Sequence, residues 1–364
     1  MAYTDIDKAT DYFTTFLWTG DGASTRSITG VGLQADMMWS KIRNVGHQHN
    51  LVDTVRGVNQ RLLMPNESGA EDTTGTQGYF NSLDSDGFSL TYGGAGGYNT
   101  NRSGEPYVGW FWKANGSGSS NTDGDITSTV SANTTSGFSI VSYTGNGTAG
   151  ATVGHGLGVA PKMIIAKVRS TTEDWPVYHA SLGATKYVKL SSTGASETET
   201  SIFNDTEPTS SVFSLGTQNK INMNTQTFIA YCFAEKKGFS KFGSYTGNGN
   251  DDGTFVYTGF RPAFVMVKCT STTSTFTSWS MFDTSRSSYN VSAGNTLYAN
   301  NSINEGYRGN GSTTSTTSPT MDLLSNGFKL RKNADETNAS QTYIYMSFAE
   351  NPFVTSTGIP TTAR

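Results

Sequence analysis

Four histidines and two cysteines are nearly all that this chain offers to nucleophilic or metal chemistry. A serine, threonine or cysteine nucleophile needs a base within hydrogen-bond reach, and the imidazoles available are His47, His49, His155 and His179. None sits in a catalytic motif: there is no Gly-x-Ser-x-Gly elbow, no phosphate loop and no His-Glu-x-x-His pair. His47-Gln-His49 is the spacing that could chelate a transition metal, because alternate residues of a strand share a face. His47 and His49 are therefore the metal-ligand candidates. Asp84-Ser-Asp86, Asp123-Gly-Asp125 and Asn250-Asp-Asp252 gather carboxylates, but calcium takes six to eight oxygens. Each cluster reads equally well as a turn. The expectation is a protein that is not an enzyme, with no cofactor and no resident metal.

Aromatic side chains suit a different task, since their rings offer large apolar faces to a ligand. The candidates lie in loops: Tyr92 and Tyr98 of Tyr92-Gly-Gly-Ala-Gly-Gly-Tyr98, then Trp175, Tyr298, Tyr307 and Arg308. Loops carried on a rigid scaffold are where binding function collects. Trp110 and Trp112 look like ligand platforms but alternate onto the core face of a strand.

The elements that would position these residues follow from an internal repeat. Trp18-Thr-Gly-Asp-Gly22 returns as Tyr143-Thr-Gly-Asn-Gly147 and Tyr245-Thr-Gly-Asn-Gly249. A second block runs Gly32–Lys41, Gly158–Lys167 and Gly259–Lys268; a third runs Tyr107–Ala114, Phe228–Glu235 and Tyr343–Glu350. Both blocks alternate with the two-residue period of a strand. Val108, Trp110 and Trp112 share a core face with counterparts Ile229, Tyr231, Phe233 and Ile344, Met346, Phe348. The opposite face is partly apolar as well, which places this strand centrally in a sheet.

Comparison of the copies separates what the fold needs from what one copy adds. No carboxylate recurs at a matched place in all three, which counts against the paired acids of glycoside cleavage. Lys41, Lys167 and Lys268 do recur, and are expected to lay their stems along an apolar surface with the ammonium in water. Asp53-Thr-Val-Arg56 matches Asp283-Thr-Ser-Arg286, where the second copy has His179-Ala-Ser-Leu182; the pair is expected to organise a turn. Leu83–Leu90 reads as a strand entered through a tight turn with Gly87 at positive φ.

Many short strands between Gly, Asn and Asp turns predict an all-β chain of three tandem, diverged, jelly-roll-like β-sandwich repeats of about 100 residues each. The expected divisions are an attachment segment (1–14), repeat 1 (15–114), a Gly/Ser/Thr/Asn linker (115–137), repeat 2 (138–237), repeat 3 (238–351) and a tail (352–364). Composition agrees. Charged residues are 15% and the net charge is −4, so a clustered basic surface for nucleic acid is not expected. With 20 Phe, 17 Tyr and 6 Trp the chain is too aromatic to be disordered. No apolar run approaches a membrane span, so no membrane insertion is expected. Met1–Asp7 lacks the basic and apolar regions of a signal peptide, and Cys232 and Cys269 are read as free thiols of a protein made in a reducing cytosol.

The order Tyr-Thr-Gly-Asn-Gly, Gly-Phe-x-Pro-strand-Lys, Asp-Thr-x-Arg, Asp-Ser-Asp-Gly-Phe and Tyr-Val-x-Trp-x-Trp-Lys-Ala resembles a repeated module of marine bacteriophage virion-associated and tail-fibre-like proteins. Tyr143–Gly147, Gly259–Lys268, Asp53–Gly57, Asp84–Phe88 and Tyr107–Ala114 carry the resemblance. It implies a virion structural protein assembled in the host cytoplasm and exposed on the particle. The expected role is a tail fibre or receptor-binding component, with other virion proteins and a host-surface glycan or protein as partners and a homotrimer as the assembly. A capsid decoration or head-fibre protein is the alternative, and a carbohydrate-active enzyme the second alternative.

Overall fold

Each sequence repeat builds a main antiparallel sheet with the same core strand order. In the computed structural model, which describes residues 3–286, 295–306 and 320–361, the first sheet runs Phe13–Thr19, Pro106–Trp112, Met37–Ile42, Asn50–Asp53. We call these the opening, closing, middle and flank strands. The second sheet repeats them as Phe138–Thr144, Thr227–Phe233, Met163–Val168 and Pro176–His179. The third has Ser240–Thr246, Thr342–Pro352, Phe260–Cys269 and Ser280–Asp283. The protein is all-β. Its described helices are single turns, and among the described residues no helix is long and apolar enough to cross a membrane.

Period-two alternation gives every closing and middle strand two buried faces. One face packs on a small sheet of the same repeat. Met38 and Phe111 meet Phe88, Ile164 and Cys232 meet Phe213, and Val265 and Tyr345 meet Phe328. The other face enters a single core to which all three repeats contribute. The matched residues Trp112, Phe233 and Phe348 form a triangle there, with ring centroids 6.4, 6.0 and 5.8 Å apart. The three main sheets therefore surround one pseudo-threefold axis. Burying each such side chain contributes about 1.5–3 kcal/mol, so the shared core binds the repeats into one body.

The turn seed owes its first glycine to close approach. A Cβ on Gly20, Gly145 or Gly247 would lie 2.1, 2.4 or 2.1 Å from a backbone oxygen of its own repeat. The facing loop presents a buried asparagine, Asn101, Asn222 or Asn338, whose Oδ1 accepts from the backbone N–H of Asp21, Asn146 or Asn248. Gly87 differs from expectation. Its φ is not positive; a side chain is excluded because its Cβ would lie 1.9 Å from the Ile28 carbonyl oxygen.

Two segments outside the expected repeats are built into the body. Residues 115–137 hold the strands Ser119–Asn121 and Ser128–Asn133, a hairpin paired onto the Phe138–Thr144 strand that extends the second sheet. Ile6, Ala9 and Phe13 are buried in the shared core, so residues 3–14 pack as part of the fold.

Candidate functional site

The recurrent lysines are buried, not laid on the surface. Lys41, Lys167 and Lys268 are each 0% exposed. Because the middle strands line the seams between repeats, water is excluded and the ammonium groups turn to carbonyl oxygens. Lys167 Nζ donates to Ser68 O of repeat 1 at 2.9 Å and to Glu173 O at 2.8 Å. Lys268 Nζ donates to Thr193 O of repeat 2 at 3.0 Å and to Thr277 O at 2.8 Å. Lys41 Nζ donates to Ile42 O and Val45 O. Burial pushes Lys41 down to about 7, with Glu305 of repeat 3 opposing, and pushes Lys167 and Lys268 down to about 8.

Each seam also closes through the flank strand. Asp53 Oδ2 accepts from the Tyr231 hydroxyl of repeat 2 at 2.7 Å, and Asp283 Oδ2 accepts from Trp110 Nε1 of repeat 1 at 3.0 Å. The third member of the set is His179. Its matched donor in repeat 3 is Met346, which has no polar hydrogen, and His179 Nε2 instead donates to the Tyr345 carbonyl at 3.2 Å. Its Nδ1 accepts from Ser181 N–H, which sets the neutral tautomer, and burial pushes its pKa down to about 4.

Behind each Asp stands an arginine. Arg56 pairs with Asp53 at 2.6 Å and Glu71 at 2.5 Å, and Glu71 reaches Arg169 of repeat 2 at 2.9 Å. Arg286 pairs with Asp283 at 2.6 Å and Glu305 at 2.8 Å, and Glu305 reaches Arg43 of repeat 1 at 2.8 Å. Burial disfavours both arginine charges, but the surrounding carboxylates outweigh it and raise both above the ordinary value. The Asp–Arg pair thus organises a turn and joins neighbouring repeats.

The candidate ligand residues fare differently. Trp175 is fully buried, with Nε1 donating to Glu67 O at 2.8 Å across the first seam. Trp279 does the same to Lys189 O at 2.9 Å. Trp175 is a seam residue and offers no face to solvent. Tyr298 is buried in the short strand Leu297–Tyr298. Tyr92 packs against its own loop at Gly97, and Tyr98 stacks on His47 at 4.9 Å with the Arg102 guanidinium 4.0 Å from its centroid. Tyr307 and Arg308 lie outside the described residues. His47 and His49 have separate surroundings: His49 is fully buried and its Nδ1 lone pair accepts from Trp39 Nε1 at 3.0 Å. Among the described residues no group of three or more His, Cys, Asp or Glu could hold a metal ion.

Two surface clefts stand out among the described residues. One, of about 360 Å³, lies in repeat 1 beside Thr54, Arg61, Asn81 and Ser82. Most of its polar groups are engaged: Thr54 Oγ1 donates to Gly116 O, Asn81 Oδ1 accepts from Thr91, Ser82 pairs with Ser89 and Arg61 faces Glu71, which leaves the exposed Asn59 side chain as its free amide among the described residues. The other, of about 540 Å³, lies in repeat 3 between the turn Leu324–Gly327 and the paired strand ends at Arg261, Glu350 and Asn351. Arg261 Nε and Glu350 Oε2 are 3.0 Å apart. Among the described residues the side chains of Ser325, Asn326 and Asn351 make no hydrogen bond, and neither do the Nη groups of Arg261 or Oε1 of Glu350. This cleft is the candidate site. Sequence reasoning missed it because its residues come from three separate segments.

The fold and these seams define a class: an all-β protein whose three repeated sheets close on one pseudo-threefold core. The chain belongs to the family described as a domain of unknown function, DUF7483, whose model matches residues 8–352. No curated protein and no solved structure matches it.

Proposed function

We propose that the chain is a structural, non-enzymatic component of a bacteriophage virion, exposed on the particle. In this reading it is a tail-fibre or receptor-binding part that meets other virion proteins on one side and a host-surface glycan or protein on the other. One observation carries the non-enzymatic half: His179, the three lysines and both Asp–Arg pairs are all engaged within or across the seams. The groups best suited to chemistry hold the body rigid, which is what a presenting scaffold requires. The virion half rests on the sequence resemblance.

The internal pseudo-threefold also favours a second reading, a decoration protein seated at a symmetric position on the capsid. It bears on assembly too. The aromatic triangle closes the central face within one chain, so a homotrimer would have to form through outer surfaces; light scattering separates monomer from trimer. The test of the function is an antibody against this chain on intact phage particles, viewed by electron microscopy. Label at the tail supports host recognition, label over the head supports decoration, and absence of label overturns the virion assignment.

A further inference from the structure

The repeats provide an internal control for the cleft in repeat 3, because residues the fold requires recur and residues added for another purpose do not. Arg261 stands where repeat 2 has Ala160. Asn326 stands where repeat 1 has Asp86, whose carboxylate is consumed by the N–H groups of Gly30 and Gly32 at 3.2 and 2.6 Å. Glu350 matches Glu235, but Glu235 is held by Lys241 at 2.8 Å while Glu350 faces Arg261, the residue that repeat 2 lacks, at 3.0 Å. The edge strand beside the turn differs in the same way. Phe255 and Tyr257 are 43% and 58% exposed, where the matched residues are Ser27 and Thr29 in repeat 1 and Thr152 and Gly154 in repeat 2. Tyr257 pairs with Gly327, and the N–H groups of Thr258 and Gly259 both donate to Asn326 O, so this aromatic edge adjoins the cleft.

The chemistry of the lining narrows the ligand. One positive and one negative side chain cancel, so neither an anion nor a cation gains a net attraction. Leu323 and Leu324 are the apolar lining, too little for a lipid or an aromatic cofactor. What remains is a dense mixture of donors and acceptors: guanidinium N–H, carboxylate, two amides and the hydroxyls of Ser325 and Thr361. That mixture matches a neutral molecule bearing many hydroxyl groups, and an exposed aromatic ring beside it supplies an apolar face for C–H groups. The volume falls within the ordinary range of small-molecule sites. We propose that the cleft formed by Arg261, Ser325, Asn326, Glu350 and Asn351, with Tyr257 at its edge, binds a neutral saccharide of one or two sugar units.

The proposal rests on the receptor-binding reading for its biological meaning but is tested separately. The full chain is titrated with the methyl glycosides of glucose, galactose, mannose and N-acetylglucosamine, read by saturation-transfer NMR. Saturable binding of at least one, with Kd on the order of 1 mM, is expected. Asn351→Ala and Tyr257→Ala change exposed side chains, and unaltered unfolding midpoints will show that both variants fold. Each is expected to weaken binding roughly tenfold. No saturable binding, or binding that both variants leave unchanged, overturns the site. Cleft-dependent binding by a chain that labels no virion would keep the site and overturn the receptor reading. Tail label with no cleft-dependent saccharide binding would do the reverse.

Discussion

The seam between repeats 1 and 2 closes on Asp53, Arg56, Glu71 and Arg169, with Tyr231 donating into it. The seam between repeats 2 and 3 occupies the matched position with His179, opposite Met346, and closes on backbone groups: Lys268 to Thr193 O, Trp279 to Lys189 O, and Ser196 N–H to Thr270 O. Both keep the buried lysine and the indole that donates to a neighbouring carbonyl. A seam can therefore close without the charged network, while the lysine and the indole are common to the two seams. The difference also shows a dependence between distant residues. Where the facing closing strand supplies a donor, Trp110 or Tyr231, the flank strand has Asp; where it supplies Met346, the flank strand has His. A buried carboxylate facing a thioether would be left short of a partner, and a neutral imidazole avoids that by donating to a carbonyl.

The largest effect should come from breaking the charged seam on one side. Arg56→Met leaves Asp53 buried beside Tyr231 without its counter-charge, and should cost about 3–5 kcal/mol in urea unfolding. A loss below about 1 kcal/mol would mean the network contributes no more than an exposed surface pair. In the seam without an Asp–Arg pair, Lys268→Met strands three carbonyl oxygens, those of Thr193, Cys269 and Thr277. The expected loss is about 1–3 kcal/mol, with the repeat 2–3 contact opening first in hydrogen exchange.

Exchanging the two seam types is the sharper test. His179→Asp alone should destabilise by about 1–3 kcal/mol, because Met346 cannot donate to the new carboxylate. Adding Met346→Tyr should recover part of that loss if donor and acceptor are coupled. Simple additivity in the double-mutant cycle would show that the His–Met pairing carries no such dependence. Tyr231→Phe, which removes only the hydroxyl that Asp53 accepts, should cost about 1–2 kcal/mol.

The last test concerns pH. The folded-state pKa values of Lys41, Lys167 and Lys268 lie below that of an exposed lysine, so between about pH 7 and pH 10 the unfolded chain binds more protons than the folded one. Stability should rise with pH across the lower part of that window, from pH 7 to pH 9, and the contribution is lost as pH falls through the folded values. Thermal unfolding midpoints measure it, and Lys167→Met should flatten the slope. A midpoint that falls over this range would show that these lysines remain charged in the seams.

Much of this architecture is legible in the sequence. The three blocks placed the closing and middle strands, and alternation assigned Trp110 and Trp112 to a core. The repeated Tyr-Thr-Gly seeds marked one recurring ring stack: Trp18 on Tyr107, Tyr143 on Phe228 and Tyr245 on Tyr343, at 5.1, 5.0 and 5.1 Å. The candidate site was not legible. Arg261, Asn326 and Asn351 lie in different segments, and what sets them apart is unused hydrogen-bonding capacity, which spacing along the chain does not encode. The same limit misplaced Trp175, since a tryptophan between strands reads as a loop residue until a neighbouring repeat is seen to cover it.

What the sequence determined by itself is local and periodic: which residues share a strand face, where the chain must turn, and that one unit occurs three times. Those follow from backbone geometry and short-range sterics. Only the tertiary structure decided that the second apolar face of each main sheet would be covered by the other two repeats. That decision buried the lysines and gave the flank-strand acids their partners. Its contacts join residues far apart in the chain, Trp110 to Asp283 across 173 positions and Tyr231 to Asp53 across 178. Periodicity shows that such a face must be hidden from water; the identity of what hides it depends on how the three repeats close around their axis.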